Sequence, residues 1–225
     1  MVNNITHEIK TPLTTISLAS QLLLDESIEK DEQVRRSYLK MISDETKSIQ
    51  DLVDEVLAMF RNKKTSRERV EIPIHKMLPT VVEVHRLSLN DCHGEVVFDF
   101  QAENDLVLGD PPHLANAFSN LIDNAIKYRK DHLVITISTR NVGDSIEIRV
   151  SDNGIGIAKS DQKLIFEPFA RMNTENEHYV KGYGLGLNYV LNIVEYHKGT
   201  IKVESELQQG ATFILTLPLK NSFSK

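Results

Sequence analysis

Cysteine is nearly absent from the sequence, which has Cys92 as its one thiol in 225 residues. A single cysteine excludes an internal disulfide bond and a cysteine-based zinc site. It also suits a reducing compartment, so we expect a cytoplasmic chain. Long apolar runs are missing as well, since none approaches the roughly 18 residues that a membrane-spanning helix requires, and no signal segment opens the chain.

An excess of positive charge is also lacking. The 26 Lys and Arg residues are outnumbered by 32 Asp and Glu residues, which gives a net charge of −6. Proteins that bind the phosphate backbone of nucleic acids concentrate positive charge, so this balance predicts no nucleic-acid partner. The length, together with a hydrophobic content of 40%, suits two globular domains better than one.

The N-terminal part has the apolar spacing of two amphipathic helices. Apolar residues recur in steps of three and four at Ile5, Ile9, Leu13, Ile16, Ala19 and Leu23. After a polar stretch at 25–33, the spacing resumes at Ile42, Ile49, Val53, Val56 and Phe60. Two helices cannot shield both stripes from water. We therefore predict that this helical hairpin pairs with a second copy as a four-helix bundle, which makes the protein a homodimer.

The composition changes after this hairpin. Residues 61–69 are basic and poor in apolar side chains, so we place a boundary near Ser66, with domains at 1–65 and 66–225. Strand-like and helical runs then alternate. The predicted strands are 95–100, 134–139, 145–151, 200–205 and 212–217, and the predicted helices are 74–89, 113–130 and 185–197. A turn at 141–144 makes two of these strands antiparallel, so the predicted sheet is mixed, unlike that of a dinucleotide-binding unit.

A histidine, a carboxylate and a proline stand close together in the first helix, as His7-Glu8-Ile9-Lys10-Thr11-Pro12. Pro12 lacks an N–H and clashes with the carbonyl of Glu8, so the helix should bend beside His7 and open it to a partner. Glu8 can accept the imidazole proton, which leaves the other ring nitrogen free to attack phosphorus. The alternative is an ordinary exposed histidine followed by a proline that starts a helix.

A second motif, Asn120-Leu121-Ile122-Asp123-Asn124-Ala125-Ile126-Lys127-Tyr128, falls on the longest helix predicted beyond the boundary. Asn120, Asn124 and Lys127 share one side of that helix. Asparagine carbonyls suit a hard cation such as Mg²⁺, and a lysine one turn on suits the phosphates that Mg²⁺ bridges. Tyr128 can lie against a nucleobase. A solvated helix face is the alternative.

Two glycine-containing motifs follow. In Asp152-Asn153-Gly154-Ile155-Gly156-Ile157, the glycines let the backbone approach a ligand and Asp152 can accept an amino hydrogen of a base. A plain turn would use the same residues. Gly182-Tyr183-Gly184-Leu185-Gly186-Leu187 leads into a helix whose free N–H groups can bind an anion. Between the two motifs, residues 166–171 present an arginine, and the polar loop 173–181 suits folding over a nucleotide.

These four motifs, in this order over almost the whole chain, resemble those of sensor histidine kinases, in which a histidine-bearing hairpin precedes an ATP-binding domain of the GHKL (Bergerat) type. The resemblance implies an α+β fold, with a dimeric hairpin followed by an α/β sandwich with a mixed sheet. It also implies that His7 is the phospho-accepting histidine and Glu8 its acidic neighbour. Thr11 matches the position that helps some members to dephosphorylate their partner.

For the nucleotide, the resemblance implies ATP with bound Mg²⁺. Asn124 matches the Mg²⁺ ligand, Asp152 the residue that reads adenine, and Arg171 a contact to the γ-phosphate. The other implied contacts are Asn120, Lys127, Tyr128, Gly154, Gly156, Gly182, Gly184, Leu185, Gly186 and Leu187.

The implied activity is autophosphorylation of His7, followed by transfer to an aspartate of a response regulator receiver domain. Because His7 lies so near the start, we expect the sensor region and any inner-membrane anchor to lie upstream of this piece. Two alternatives remain. One is an ATPase of the same nucleotide-binding type that uses ATP to change shape, and the other is a scaffold without autokinase activity.

Overall fold

The computed structural model of the chain describes residues 2–24, 31–61, 69–170 and 183–223. The chain divides into two compact units, residues 1–65 and 66–225. In the described part of the chain, no helix is long and apolar enough to cross a membrane.

The first unit is a helical hairpin, as the apolar spacing predicts. Helix α1 spans Val2–Leu23 and helix α2 spans Glu32–Arg61, and the two pack against each other. Asp31 precedes α2 and its carboxylate accepts hydrogen bonds from the N–H groups of Gln33 and Val34, which caps the helix. Ala19 and Leu52 are buried, but Leu13 and Val53 on the predicted stripes are 51% and 43% exposed.

Pro12 lies inside α1 and does not start it. A proline at this position cannot donate to the carbonyl of Glu8. In the next turn, Thr14 and Thr15 donate their hydroxyls to the carbonyls of Lys10 and Thr11. The alternative of a helix-start proline is therefore wrong, because the helix continues through it.

The second unit contains seven strands and four α-helices among its described residues. In chain order these are β1 Val70–Pro73, α3 Ile74–Val84, α4 Arg86–Asp91, β2 Glu95–Phe100, β3 Leu106–Gly109, α5 Pro111–Lys127, β4 Val134–Val142, β5 Ser145–Asp152, α6 Gly186–Tyr196, β6 Thr200–Ser205 and β7 Ala211–Pro218. Short 3-10 helices lie at Leu164–Phe166 and Lys220–Phe223.

The main sheet is mixed, as predicted. Its strand order is β2-β4-β5-β7-β6, in which β2 and β4 are parallel and the other neighbouring pairs are antiparallel. Strands β1 and β3 form a separate antiparallel pair that sequence analysis did not predict. The predicted helix 74–89 is two helices in the structure, because α3 ends at Val84 and α4 begins at Arg86.

One face of the main sheet packs under the helices and forms the core. Ile137, Ile148 and Leu215 on three central strands are fully buried, and Phe118 of α5 and Val190 of α6 belong to the same hydrophobic cluster. The sheet therefore forms an α/β sandwich with a layer of helices. This confirms the predicted architecture of a helical hairpin followed by an α/β sandwich with a mixed sheet.

Candidate functional site

The predicted polar residues of α5 share one face of that helix. Asp110 caps the start of α5 by accepting from the N–H of His113, and prolines occupy its first two positions. Leu114, Phe118 and Leu121 are buried in the core on the other side. Asn120, Asn124 and Lys127 are partly exposed and form what we call the asparagine face.

Asn124 is the residue of this face whose hydrogen bonding is incomplete. Its Nδ2 atom is buried and has no hydrogen-bond partner within the described part of the chain. An unpaired buried donor destabilises the fold by about 1–3 kcal/mol, so such groups are rare in native proteins. Nδ2 can only donate, so a partner for it would be an acceptor, as a phosphate oxygen is. This chemistry fits a nucleotide phosphate group, with the amide oxygen of Asn124 available to a cation.

Lys127 and Asn120 have partners on α5 itself. The Lys127 ammonium lies 2.6 Å from a carboxylate oxygen of Asp123, one turn earlier, so a phosphate would compete with that ion pair. Asn120 donates its Nδ2 to the carbonyl of Asn116 at 2.9 Å. Its Oδ1 faces Gly186, where a Cβ atom would come within 2.7 Å of it. The side chain of Asn120 thus lies between α5 and the start of α6.

Asp152 ends β5 beside this helix. Its Oδ1 accepts hydrogen bonds from the N–H groups of Gly154 at 2.8 Å and Ala211 at 3.3 Å. Burial raises the pKa of the Asp152 carboxyl, and these two hydrogen bonds oppose that rise. Both bonds use the same oxygen, so Oδ2 is the atom able to accept from the amino group of a base.

The glycines that follow Asp152 pack against the protein's own backbone. A Cβ on Gly154 would collide with the carbonyl of Tyr128, and Gly156 (φ +72°) lies similarly close to the carbonyl of Glu206. Tyr128 ends α5, and its carbonyl accepts from the N–H of Ile155 at 3.0 Å. These glycines therefore let the 153–156 loop approach the protein's own backbone, at the end of α5 and at Glu206. Their approach to a ligand stays a prediction.

Sequence analysis missed the loop 206–210, which supports this site. Gly210 (φ +85°) lies against the carbonyl of Asp152, and the N–H of Gln208 donates to the carbonyl of Ile155 at 2.7 Å. Lys130 donates to the carbonyl of Gln208. The signal that could have found the loop is the Gln209-Gly210 pair between two predicted strands, which is typical of a turn.

The start of α6 completes the described part of the site. Leu185 is buried and makes no side-chain cap hydrogen bond, so the first N–H groups of α6 are not capped as those of α5 are. Gly184 has a φ of +68°, and a Cβ atom placed on it would lie 2.5 Å from the carbonyl oxygen of Ala170. Leu187 packs against the core. An uncapped helix start beside the asparagine face suits an anion.

Several predicted residues fall elsewhere. Arg171 and Gly182 lie outside the described residues. His7 and Glu8 are in helix α1 of the first unit, but their side chains also lie outside what the structure describes. Thr11 is exposed on the same helix. The structure thus brings together those predicted nucleotide-binding residues of the second unit that it describes, while the histidine motif belongs to the first unit.

Comparison with known families covers both units. Residues 1–64 match the His Kinase A (phospho-acceptor) domain. Residues 109–221 match the family of histidine kinase-, DNA gyrase B- and HSP90-like ATPases.

Curated relatives match nearly the whole chain. Sensor protein RprX of Bacteroides fragilis is 40% identical over 222 residues, which are 97% of this chain and 43% of RprX. Sensor-like histidine kinase SenX3 of Mycobacterium tuberculosis is 35% identical over 219 residues, 96% of this chain and 53% of SenX3. The chain therefore spans about half the length of these relatives.

Solved structures share the fold at lower identity. Histidine kinase ThkA, solved in complex with response regulator protein TrrA, has a TM-score of 0.78 and 21% identity, over 99% of this chain and 62% of that chain. Histidine kinase AdeS of Acinetobacter baumannii has a TM-score of 0.69 and 24% identity, over 96% of this chain and 98% of that chain. The order of two matched domains along one chain and the named relatives agree: the chain belongs to the sensor histidine kinases of two-component systems.

Proposed function

We propose that this chain is the catalytic core of a sensor histidine kinase, which transfers the γ-phosphoryl group of ATP to its own His7. Residues 1–65 act as the dimerisation and phosphotransfer hairpin, and residues 66–225 bind ATP. The observation that carries the proposal is the buried Nδ2 atom of Asn124, which has no hydrogen-bond partner among the described residues, in a chain that also matches a phospho-acceptor domain.

ATP is held at three places in this proposal. Asp152 accepts from the adenine amino group through Oδ2, and Tyr128 packs against the base. The uncapped start of α6, at Leu185, Gly186 and Leu187, binds the phosphates. Lys127 exchanges its partner Asp123 for a phosphate oxygen, which is a charge-assisted contact of the same kind. Gly154, Gly156 and Gly184 keep the loops that surround the nucleotide in place.

Mg²⁺ fits the chemistry of the asparagine face. Amide oxygens are hard ligands of the kind that Mg²⁺ accepts, so Asn124 would hold the ion through its carbonyl oxygen, with Asn120 beside it. When bound, the ion neutralises charge on the phosphates. Arg171 would contact the γ-phosphate, as the family motif implies.

The transfer forms one bond and breaks one. A ring nitrogen of His7 bonds to the γ-phosphorus, the bond from phosphorus to the bridging oxygen breaks, and ADP leaves. Glu8, the next residue, accepts the imidazole proton. The phosphoryl group then passes from His7 to an aspartate of a response regulator, which is the kind of protein found bound to ThkA. Thr11 lies one turn after His7 on α1, where it can assist removal of phosphate from that partner.

Two copies of the hairpin assemble into the four-helix bundle in this proposal. Leu13 and Val53 remain about half exposed in a single copy, which leaves apolar surface for a second one to cover. The lone thiol, Cys92, is free and buried, as suits a core that works in the cytoplasm.

The proposal is tested by incubating the protein with Mg²⁺ and γ-labelled ATP, beside its His7→Ala and Asn124→Ala variants. We expect the parent alone to become labelled, with a bond that survives alkali and is lost in acid, as phosphoramidates are. ATP binding without any labelling of the parent would contradict the autokinase and leave the shape-changing ATPase or the scaffold.

A further inference from the structure

Asn188 is a buried polar residue that no motif above includes. It lies in the first turn of α6, two residues after Gly186, and is 9% exposed. Buried side-chain amides are retained where their hydrogen bonds are satisfied, since an unsatisfied one destabilises the fold. The partners of Asn188 therefore indicate what the amide does.

The side-chain amide of Asn188 connects α6 to residues 164–170, which come earlier in the chain. Its Nδ2 donates to the carbonyl of Phe166 at 2.8 Å, and its Oδ1 accepts from Nδ2 of Asn192, one turn later, at 3.0 Å. The carbonyl of Phe166 can only accept, so the atom facing it must be the amide nitrogen. This leaves the oxygen of Asn188 facing Asn192 and not the N–H groups at the start of α6, which have no capping side chain among the described residues.

A second connection lies nearby. The N–H of Phe169 donates to the carbonyl of Gly184 at 3.0 Å, and Gly184 touches the carbonyl of Ala170. Residues 164–170 are thus attached to α6 and its preceding turn at two points, one through the backbone and one through Asn188. Of the two, Asn188 is the one that depends on side-chain chemistry.

We propose that Asn188 is a positioning residue for nucleotide binding, because it fixes residues 164–170 against α6 and keeps the N–H groups at the start of α6 free for phosphate oxygens. This inference rests on the proposed function, in which those N–H groups bind ATP. Asn188 touches no nucleotide in this account and acts through the position of α6 and of the Phe166 carbonyl.

Three variants test it through the dissociation constant of a fluorescent ADP analogue with Mg²⁺. Asn188→Ala should raise the constant about tenfold, because the start of α6 must then be ordered when the nucleotide binds. Asn188→Leu keeps a similar branched shape without charge but cannot donate to Phe166, so it should bind about as weakly as Asn188→Ala. Asn192→Ala leaves the bond to Phe166 intact and should change the constant less than about threefold.

The order of the variants separates this role from simple packing. If Asn188 only filled space, Asn188→Leu would bind like the parent and Asn188→Ala would be the weakest. Thermal unfolding without nucleotide shows that each variant is folded, and the KM for ATP should rise while kcat stays near that of the parent. If the parent and Asn188→Ala bind the nucleotide equally well, this inference alone is overturned. A parent that binds no nucleotide overturns the proposed function as well.

Discussion

At the scale of single residues, Asp152 shows how position changes the chemistry of a common side chain. The carboxyl is half-buried, and this burial raises its pKa, while two backbone N–H groups favour its charged form. Sequence analysis could single out Asp152 because it ends a predicted strand and precedes glycines. It could not find the donor Ala211, because that contact depends on the pairing of β5 with β7.

Asp152→Asn should weaken binding of ATP about tenfold or more, because a buried charge-assisted hydrogen bond to the adenine amino group is lost. Binding of GTP, whose base presents an oxygen there, should change less. Titration of each nucleotide measures both effects. Asp91→Asn, at an exposed aspartate in α4, is the matched control, and equal ATP affinity in parent and Asp152→Asn would show that the base lies elsewhere.

At the scale of elements, the long, periodic segments were predictable and the short ones were not. The strands at 95–100 and 200–205 have the predicted bounds. The second alternates apolar and polar residues, whereas the first is a short run rich in valine and phenylalanine, which favour strands. Strands β1 and β3 have four residues each, too few to show a period, and pair across a long stretch of chain. The break between α3 and α4 at His85 has no glycine or proline to signal it.

The contact between β3 and the end of α6 depends on a neutral histidine. His197 is 1% exposed, its Nε2 accepts from the N–H of Asp110 at 3.0 Å, and its Nδ1 lies 2.7 Å from the carbonyl of Ile193, to which it donates. Protonation would turn Nε2 into a donor that faces another donor. Burial is the main cause that lowers the pKa of His197 below its ordinary 6.5.

Stability should therefore fall with acid. The pKa of His197 is lower in the folded protein than in the unfolded chain, so the unfolded chain binds more protons below pH 6.5. The contribution of neutral His197 to stability is therefore complete above pH 6.5 and is lost as the pH falls below that value. The midpoint of thermal unfolding should decrease between about pH 7.5 and 5.5. His197→Gln, whose oxygen can still accept from Asp110, should show a flatter dependence. His132→Gln, at an exposed histidine, should keep the slope of the parent, and equal slopes in all three proteins would refute this assignment.

At the scale of the whole molecule, the two units differ in how much of their apolar surface they bury. The second unit buries a continuous core between its sheet and helices, whereas the hairpin leaves large apolar side chains half exposed. The spacing of those side chains was readable from the sequence, but a single chain does not supply their partners. The proposed assembly of two hairpins would resolve this, because each copy would cover the stripe of the other.

Leu13→Glu combined with Val53→Glu should shift the protein from dimer to monomer, since charge at these positions would have to be buried in the bundle. Light scattering across a concentration series measures the mass. Val84→Glu, at a residue of the second unit that is 77% exposed, is the matched control and should leave the mass unchanged. A parent that is monomeric at every concentration would refute the bundle.

In the proposed reaction, ATP bound to the second unit phosphorylates His7 in the first unit. Tandem mass spectrometry of the protein, after reaction with ATP and Mg²⁺ and digestion at neutral to alkaline pH, locates the phosphoryl group directly. We predict that it lies on His7 and that it is absent when Asn124→Ala is treated in the same way. A phosphoryl group on any other residue, or an unmodified His7 in protein that has bound ATP, would contradict the account.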